Sequence, residues 1–218
     1  MKLENFEGYT YVDGGVCAAR GFVANGLNAG INPDKKKNDM CLVYSQEPCS
    51  AAGVYTQNKV KGAPVIVTRE NLKKSHGIAH AILANSKNAN TCNFDGIEIA
   101  EKACRLAADQ LGIKPEEVII GSTGVIGQRL SIQPFEEYMK PLAEGMTADG
   151  NDRAAYAIMT TDTVMKQVAV EFKIGDAVCR MGGMAKGSGM IHPNMATTLN
   201  FLTSDVAITP ELIQKALS

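Results

Sequence analysis

Residues 97–127 read IEIAEKACRLAADQLGIKPEEVIIGSTGVIG, and this stretch decides the class of fold. Its first part, 97–111, places small and apolar side chains three and four positions apart, the period of one helix face. Asp95 stands at a capping position before this helix, and Gly112 follows it where a glycine commonly ends a helix. An apolar strand at 118–120 and a glycine-rich turn at 121–127 come next. This order of helix, strand and glycine turn predicts an α/β protein.

The flanking sequence predicts further strands and helices in mixed order. Strands are predicted at 40–44, 51–56, 64–68, 78–85, 168–174 and 177–180, and Gly175-Asp176 is a hairpin signal between the last two. Helices are predicted at 134–146 and 152–160, and from Thr209-Pro210-Glu211 onward. Residues 10–31 have the pattern of short strands and turns. Hairpins mixed with helices indicate an α+β or layered α/β chain.

The composition is that of an ordinary globular protein, with 218 residues, 45% of them hydrophobic and 21% charged. It argues against the disordered and fibrous classes. The 22 Lys+Arg against 23 Asp+Glu give a net charge of -1, which carries no electrostatic signature of nucleic-acid or acidic-membrane binding. No apolar run approaches the ~18 residues that span a bilayer, and the first residues contain no signal-peptide core. We therefore expect a cytoplasmic protein with no nucleic-acid or membrane partner.

The cysteines and histidines indicate neither disulfides nor a metal site. Six cysteines are scattered without a C-x-x-C pair, and in a reducing compartment we expect them to be free thiols. His76 and His80 are four residues apart, but no third ligand stands nearby and Gly77 falls inside the helix they would need. The sequence therefore predicts no bound metal.

The glycine turn at 121–127 admits three interpretations. A G-x-x-G-x-x-G turn after a strand resembles a nucleotide-binding turn, but the spacing differs from G-x-G-x-x-G and Pro134 interrupts the helix expected next. Alternatively, the glycines serve only to form a tight turn with unusual φ angles. In the third interpretation, exposed backbone N–H groups and the Thr123 hydroxyl stabilise an oxyanion.

A second glycine-rich tract, residues 181–190, precedes a segment that is too apolar for a solvated loop. Lys186 stands directly before Gly187, the reverse of the order in a P-loop, so phosphate binding of that kind is not indicated. We interpret the tract as a glycine loop that leads into a buried segment, 191–201, which carries Thr197 and Thr198.

Residues 186–199, KGSGMIHPNMATTL, closely resemble the self-cleavage signature of the ornithine acetyltransferase family, the bifunctional glutamate N-acetyltransferases. Further matches follow in family order over essentially the whole chain. They are Gly14-Gly15-Val16 with Gly21-Phe22, and residues 52–56, 85–90, 122–127 and 160–163. Lys87 is a departure, because the family usually has glycine there. The resemblance implies a layered α/β/β/α sandwich, present here in its N-terminal part.

The resemblance also implies that the chain cleaves itself between Ala196 and Thr197. Residues 1–196 would then form an N-terminal α segment, and residues 197–218 the start of a C-terminal β segment. The new terminal threonine would be the nucleophile. A threonine hydroxyl needs an adjacent base, and the freed α-amino group, with a pKa of ~7.7–8.0, supplies one on the same residue.

The resemblance assigns further site residues by position. Thr123, through its hydroxyl, and Gly124, through its backbone N–H, would form the oxyanion hole. Thr160 and Lys186 match substrate-contacting positions and would bind substrate together with Thr197. Lys186 would offer positive charge to an amino-acid carboxylate.

The implied reaction transfers the acetyl group of N-acetylornithine to glutamate through an acetyl-threonine intermediate, in arginine biosynthesis. It calls for no metal or organic cofactor, and whether acetyl-CoA also serves as a donor stays open. Family precursors are considerably longer, so we expect a missing C-terminal segment as partner in a hetero-oligomer of α and β chains. Two alternatives stay open: an N-terminal-nucleophile amidohydrolase or peptidase in which water accepts the acyl group, and an inactive truncated fragment that needs a partner chain.

Overall fold

The computed structural model describes residues 7–187 and 198–218, which form eight strands in two sheets and five α-helices. The strands are β1 (Tyr9–Val12), β2 (Phe22–Leu27), β3 (Met40–Ser50), β4 (Ile78–Asn85), β5 (Val118–Ser122), β6 (Lys166–Ile174), β7 (Ala177–Lys186) and β8 (Leu199–Ser204). The helices are α1 (Ala63–Lys74), α2 (Gly96–Leu111), α3 (Gln133–Glu144), α4 (Asn151–Ala157) and α5 (Pro210–Leu217). The α/β class predicted from the sequence is confirmed.

Each sheet has four strands. The first sheet has the order β2-β3-β4-β5, in which the first three strands are antiparallel and β4 and β5 are parallel, joined through α2. The second sheet has the order β1-β6-β7-β8 and is antiparallel throughout. Strand β7 lies before the predicted cleavage point and strand β8 after it, and the two pair in the same sheet.

The first sheet is buried on both faces, as the alternation along β3 shows. Met40 and Leu42 pack with helices α1, α2 and α3 in one apolar cluster. Cys41 and Val43 face the opposite way and pack with α4 and with residues of the second sheet, such as Met184. Helices, first sheet and second sheet are therefore three successive layers.

The outer face of the second sheet is uncovered in the part of the chain that the structure describes. Val168 and Leu202 flank Gly183 on the two neighbouring strands. Both therefore share a face of the sheet with Met181, which lies two positions from Gly183 along β7. The three apolar side chains are 39–59% exposed. Three of the four layers of the expected sandwich are thus present in the described residues.

Most predicted elements are confirmed, including β4, α2, β5, α3, α4, the β6–β7 hairpin and the start of α5, where the Thr209 hydroxyl accepts the Leu212 amide. Gly112 ends α2 with a φ of 68°. Asp95 occupies the N-cap position of α2, but its side chain makes no capping bond. Its carboxylate instead pairs with Arg129, at 2.6 Å.

Two predicted strands are wrong. Residues 64–68 lie in helix α1, where Pro64 occupies the first turn, and the Thr68 hydroxyl bonds the backbone of Ile120 on the edge strand β5. Residues 51–56 form no strand, because Ser50 pairs with Ile78, the first residue of β4, and no strand remains beside the chain after it.

The predicted glycine loop is also wrong over 181–186, which belongs to strand β7. Gly182 lies so close to the carbonyl oxygen of Gly15 that a side chain at this position would overlap it. The glycine therefore serves a close approach of two backbones inside a sheet and not a flexible loop.

Candidate functional site

The turn that follows β5 leaves the backbone amide of Gly124 unpaired between two bonded neighbours. The Thr123 amide donates to the carbonyl of Asn85, and the Val125 amide donates to the carbonyl of Lys87, both at 3.0 Å. The amide of Gly124, between them, has no acceptor within 7–187 or 198–218, and this residue is exposed. The turn therefore presents the Gly124 N–H group, which is held by bonds on either side and is free to bind an anionic oxygen.

Only glycine fits at position 124. Its φ of 130° is a conformation that residues with side chains rarely adopt, and a Cβ atom there would overlap the backbone of Lys87. Neither requirement is visible from the spacing of the glycines, because the overlapping atoms belong to a segment nearly forty residues earlier in the chain.

That earlier segment, residues 85–90, supports the turn. The buried Asn85 side chain donates to the carbonyls of Ser86 and Asn88 and accepts the Ser122 hydroxyl at 2.6 Å. Lys87 has a φ of 74°, so it keeps the left-handed conformation that glycine favours at this position. The sequence reasoning gave the asparagines no role, although asparagine-rich segments commonly bond nearby backbone in this way.

The two hydroxyls at the end of β5 differ in their partners. The Ser122 hydroxyl is bound to Asn85, as described, and is part of the fold. The neighbouring Thr123 hydroxyl has no hydrogen-bond partner in the described chain, and Thr123 lines a broad cleft together with Gly124. The free hydroxyl and the free amide therefore belong to adjacent residues that both line the cleft.

Lys186, the last residue of β7, lines the same cleft. It is only 8% exposed, yet no carboxylate of the described residues lies within ion-pairing distance of it. The Lys186 ammonium therefore has no counter-charge among the described residues, and a carboxylate ligand would supply one. This burial could not be foreseen from the sequence, in which Lys186 stands among glycines.

Thr160 follows helix α4 and also lines the cleft, as does Thr198, the first described residue after the predicted cleavage point. Thr123, Gly124, Thr160 and Lys186, four of the six residues singled out in the sequence, thus line the same cleft, which is broad and is lined by many other residues as well. Ala196 and Thr197 lie outside the described residues. The roles of all six stay predictions.

The Asp162 carboxylate, which sequence reasoning did not single out, connects two parts of this site. It accepts the Thr160 amide at 3.2 Å, the Gly187 amide at 2.9 Å and the Lys166 ammonium at 2.7 Å. Burial alone would raise the pKa of Asp162, but these hydrogen bonds outweigh it and hold the pKa below its usual value.

The two most deeply buried thiols, Cys41 and Cys104, do not line this cleft. All six cysteines are free, and burial raises the pKa of Cys41 and of Cys104 to about 12, which leaves both thiols protonated at neutral pH. Within the described ranges, no three His, Cys, Asp or Glu side chains are grouped as metal ligands. None of the described helices is both long and apolar enough to cross a bilayer.

Comparison with solved structures defines the class of fold. The chain is similar to ornithine acetyltransferase from Mycobacterium tuberculosis, solved as a complex with ornithine, with a TM-score of 0.77 and 37% identity over 85% of this chain and 98% of that one. It is equally similar to the arginine biosynthesis bifunctional protein ArgJ from Bacillus halodurans, with a TM-score of 0.79 and 35% identity over 86% of this chain and 97% of that one. The fold is therefore that of the ornithine acetyltransferases.

The chain belongs to the ArgJ family, whose sequence profile matches residues 23–218. Curated relatives named arginine biosynthesis bifunctional protein ArgJ are 46% identical in Symbiobacterium thermophilum, over 95% of this chain and 52% of the relative, and 46% identical in Gloeobacter violaceus, over 94% and 50%. The chain thus spans about half the length of the curated relatives it matches.

Proposed function

We propose that the protein transfers the acetyl group of N-acetylornithine to glutamate, in arginine biosynthesis, in the cytoplasm. The observation that carries the proposal is the cleft itself, which is lined by the unpaired Thr123 hydroxyl, the unpaired Gly124 amide and the mostly buried Lys186, whose ammonium has no ion-pair partner among the described residues. These donors match the two anionic centres of the reaction, a tetrahedral oxyanion and a substrate carboxylate.

The proposed nucleophile is Thr197, after cleavage of the bond to Ala196. Two observations support this. Thr198, its covalent neighbour, lines the same cleft as Thr123. In addition, the solved relatives are matched over 97–98% of their chains, whereas the curated relatives are matched over about half. A half-length chain in a solved relative is what cleavage of a full-length precursor would leave.

The chemical steps follow from the groups in the cleft. The Thr197 hydroxyl oxygen attacks the acetyl carbonyl carbon, and its proton passes to the free α-amino group of the same residue. The carbonyl oxygen becomes an oxyanion, which the Thr123 hydroxyl and the Gly124 amide bind. Collapse of this intermediate breaks the carbon–nitrogen bond, and the departing ornithine amine takes the proton. The glutamate amine then attacks the threonine ester and regenerates the hydroxyl.

Substrate binding is the role of other groups that line the cleft. Lys186 pairs with the carboxylate of the amino-acid substrate, and Thr160 offers further polar contact. We propose that the rest of the pocket comes from a C-terminal β segment, which forms a hetero-oligomer with this α segment. No metal or organic cofactor takes part in these steps, and acetyl-CoA is a possible second acetyl donor.

Intact mass measurement and a product assay on the protein expressed from its complete reading frame test the proposal. Wild-type protein should split between Ala196 and Thr197 and should form N-acetylglutamate from N-acetylornithine and glutamate. Thr197→Ala should prevent both. Thr198→Ala is the matched control and should still split, because the hydroxyl that attacks belongs to residue 197.

Two results would refute the proposal. Acetyl transfer by an unsplit wild-type protein or by Thr197→Ala would remove Thr197 from the mechanism. Release of free acetate without N-acetylglutamate would instead identify water as the acceptor and favour the amidohydrolase alternative, which the names of the relatives do not support.

A further inference from the structure

Asp162 lies where two strands of the second sheet separate. The β6–β7 pairing ends at Lys166 and Ala185, and past that pair the chains lead to Thr160 on one side and to Gly187 on the other. Among the described residues, the Asp162 carboxylate bridges this gap, with one oxygen on the Gly187 amide at 2.9 Å and the other on the Thr160 amide at 3.2 Å.

The bridge is built to hold its position. The Asp162 side chain is only 3% exposed, and the ammonium of Lys166 pairs with it at 2.7 Å from a half-exposed position. Space around it is tight, because a Cβ atom on Gly187 would lie 3.0 Å from the nearer carboxylate oxygen. Hydrogen bonds from backbone amides to an ionised carboxylate are short and strong, so the two chains are fixed relative to each other.

The two segments that Asp162 joins, at Thr160 and at Gly187, carry three groups of the proposed reaction. Thr160 contacts substrate, Lys186 adjoins Gly187, and the segment from Gly187 onward leads to Thr197. Asp162 itself touches none of the reacting atoms in this scheme. Its carboxylate contacts Thr160 directly and Lys186 only through the neighbouring Gly187 amide.

We infer that Asp162 is a positioning residue, which sets the separation of Thr160 and Lys186 and anchors the chain that leads to the cleavage point. The inference rests on the proposed function. Displacement of a binding group by about 1 Å can cost up to ~100-fold in rate, so a small rearrangement of this bridge is sufficient to affect catalysis.

Two substitutions separate positioning from charge. Asp162→Asn keeps the size but removes the charge, and its amide nitrogen cannot accept a backbone N–H. Asp162→Glu keeps the charge, but its longer side chain must displace Gly187. If Asp162 positions the two chains, both variants should raise KM for N-acetylornithine about tenfold and slow self-cleavage by a similar factor, with a much smaller change in kcat.

Asp205→Asn is the matched control. Asp205 has the same chemistry at the far end of β7: its carboxylate is 8% exposed, accepts the Arg180 amide at 2.7 Å and pairs with Arg20 at 2.9 Å. Loss of the Asp205 charge should reduce thermal stability as Asp162→Asn does. KM and the cleavage rate of Asp205→Asn should stay at the wild-type values.

The measurements are the rate of splitting by intact mass, steady-state kinetics and thermal unfolding, all on the protein from its complete reading frame. An Asp162→Asn protein with the KM and cleavage rate of Asp205→Asn would overturn the inference and leave the proposed function intact. A wild-type KM in Asp162→Glu would also overturn it, because charge alone would then suffice. Should Asp162→Asn not fold, Asp162→Glu against Asp205→Asn decides the question. A wild-type protein that neither splits nor transfers acetyl would overturn the proposed function and, with it, this inference.

Discussion

The unpaired hydroxyl of Thr123 gives the sharpest test of the proposed oxyanion hole. Thr123→Val removes that hydroxyl and keeps the shape of the side chain. Because the hydroxyl bonds nothing in the described chain, its loss leaves no protein group without a partner, and the backbone bond from the Thr123 amide to Asn85 is retained. We therefore expect the free energy of unfolding to change by no more than about 0.5 kcal/mol.

Catalysis should respond quite differently. Removal of one oxyanion donor costs ~100–1,000-fold in kcat, equivalent to about 2.7–4 kcal/mol of transition-state stabilisation. KM for N-acetylornithine should stay within about twofold, because in the proposed mechanism the hydroxyl binds the oxyanion and not the ground-state substrate. The assay is steady-state acetyl transfer by the protein from its complete reading frame, with urea unfolding of the same sample.

Ser122→Ala is the matched control, since it deletes the neighbouring hydroxyl. That hydroxyl is bound to the buried Asn85 side chain at 2.6 Å, so its loss leaves an acceptor unpaired and should cost roughly 1–3 kcal/mol of stability. Its kcat should stay near wild type. A Thr123→Val enzyme with full kcat would refute the reasoning, and so would one whose lost activity is matched by an equal loss of stability.

The remaining predictions concern the same turn and the thiols. Gly124→Ala should destabilise the fold by roughly 2–4 kcal/mol in urea unfolding, because its Cβ overlaps Lys87 and its φ is positive; near-wild-type stability would contradict this. Lys87→Gly should instead gain up to ~1 kcal/mol by the same measurement, since it relieves left-handed strain, and a clear loss would show that the lysine is not strained. With a thiol reagent, the exposed Cys92 should react in the native protein, whereas Cys41 and Cys104 should react only after unfolding, because both are buried and their pKa values are raised to about 12; fast labelling of either buried thiol in the native protein would be inconsistent with the structure.

The sequence correctly predicts a segment when the spacing of its own apolar residues matches the face that the fold buries. Helix α2 is the clearest case, because the structure buries four of the six positions on its predicted apolar face (100, 104, 107 and 108) against the first sheet and packs Leu111 beside them, whereas Ile97 is 45% exposed. Residues 64–68 are the opposite case. Their β-branched side chains favour a strand, but the helix places Thr68 and Asn71 where they bond the backbone of the edge strand β5. The pattern of residues 64–68 cannot reveal these hydrogen bonds, because their partners on β5 lie about fifty residues later in the chain.

Gly182 and Gly124 show their roles only in the structure, unlike Gly112, which the sequence correctly places at the end of α2. The sequence predicts a loop at 181–186, whereas these residues lie in strand β7. Position 182 needs glycine because Gly15, from another part of the chain, approaches it too closely for a side chain. At Gly124 the pattern identified a turn and the resemblance assigned a role, but neither shows why the amide is free. That follows from where residues 85–87 place their carbonyl groups.

The same two carbonyl groups decide among the interpretations of the turn. A pyrophosphate needs several backbone amides that converge on it, usually at the beginning of a helix. Here the amides of Thr123 and Val125 are already bound by Asn85 and Lys87, and the next helix, α3, begins only at Gln133. Because both neighbours of Gly124 are bonded, the turn offers no unbroken row of N–H groups to a pyrophosphate, whereas the Gly124 amide beside the free Thr123 hydroxyl matches the single oxygen of a tetrahedral intermediate. The turn therefore favours acyl transfer over nucleotide binding, and it does so through residues that a search for glycine spacing never considers.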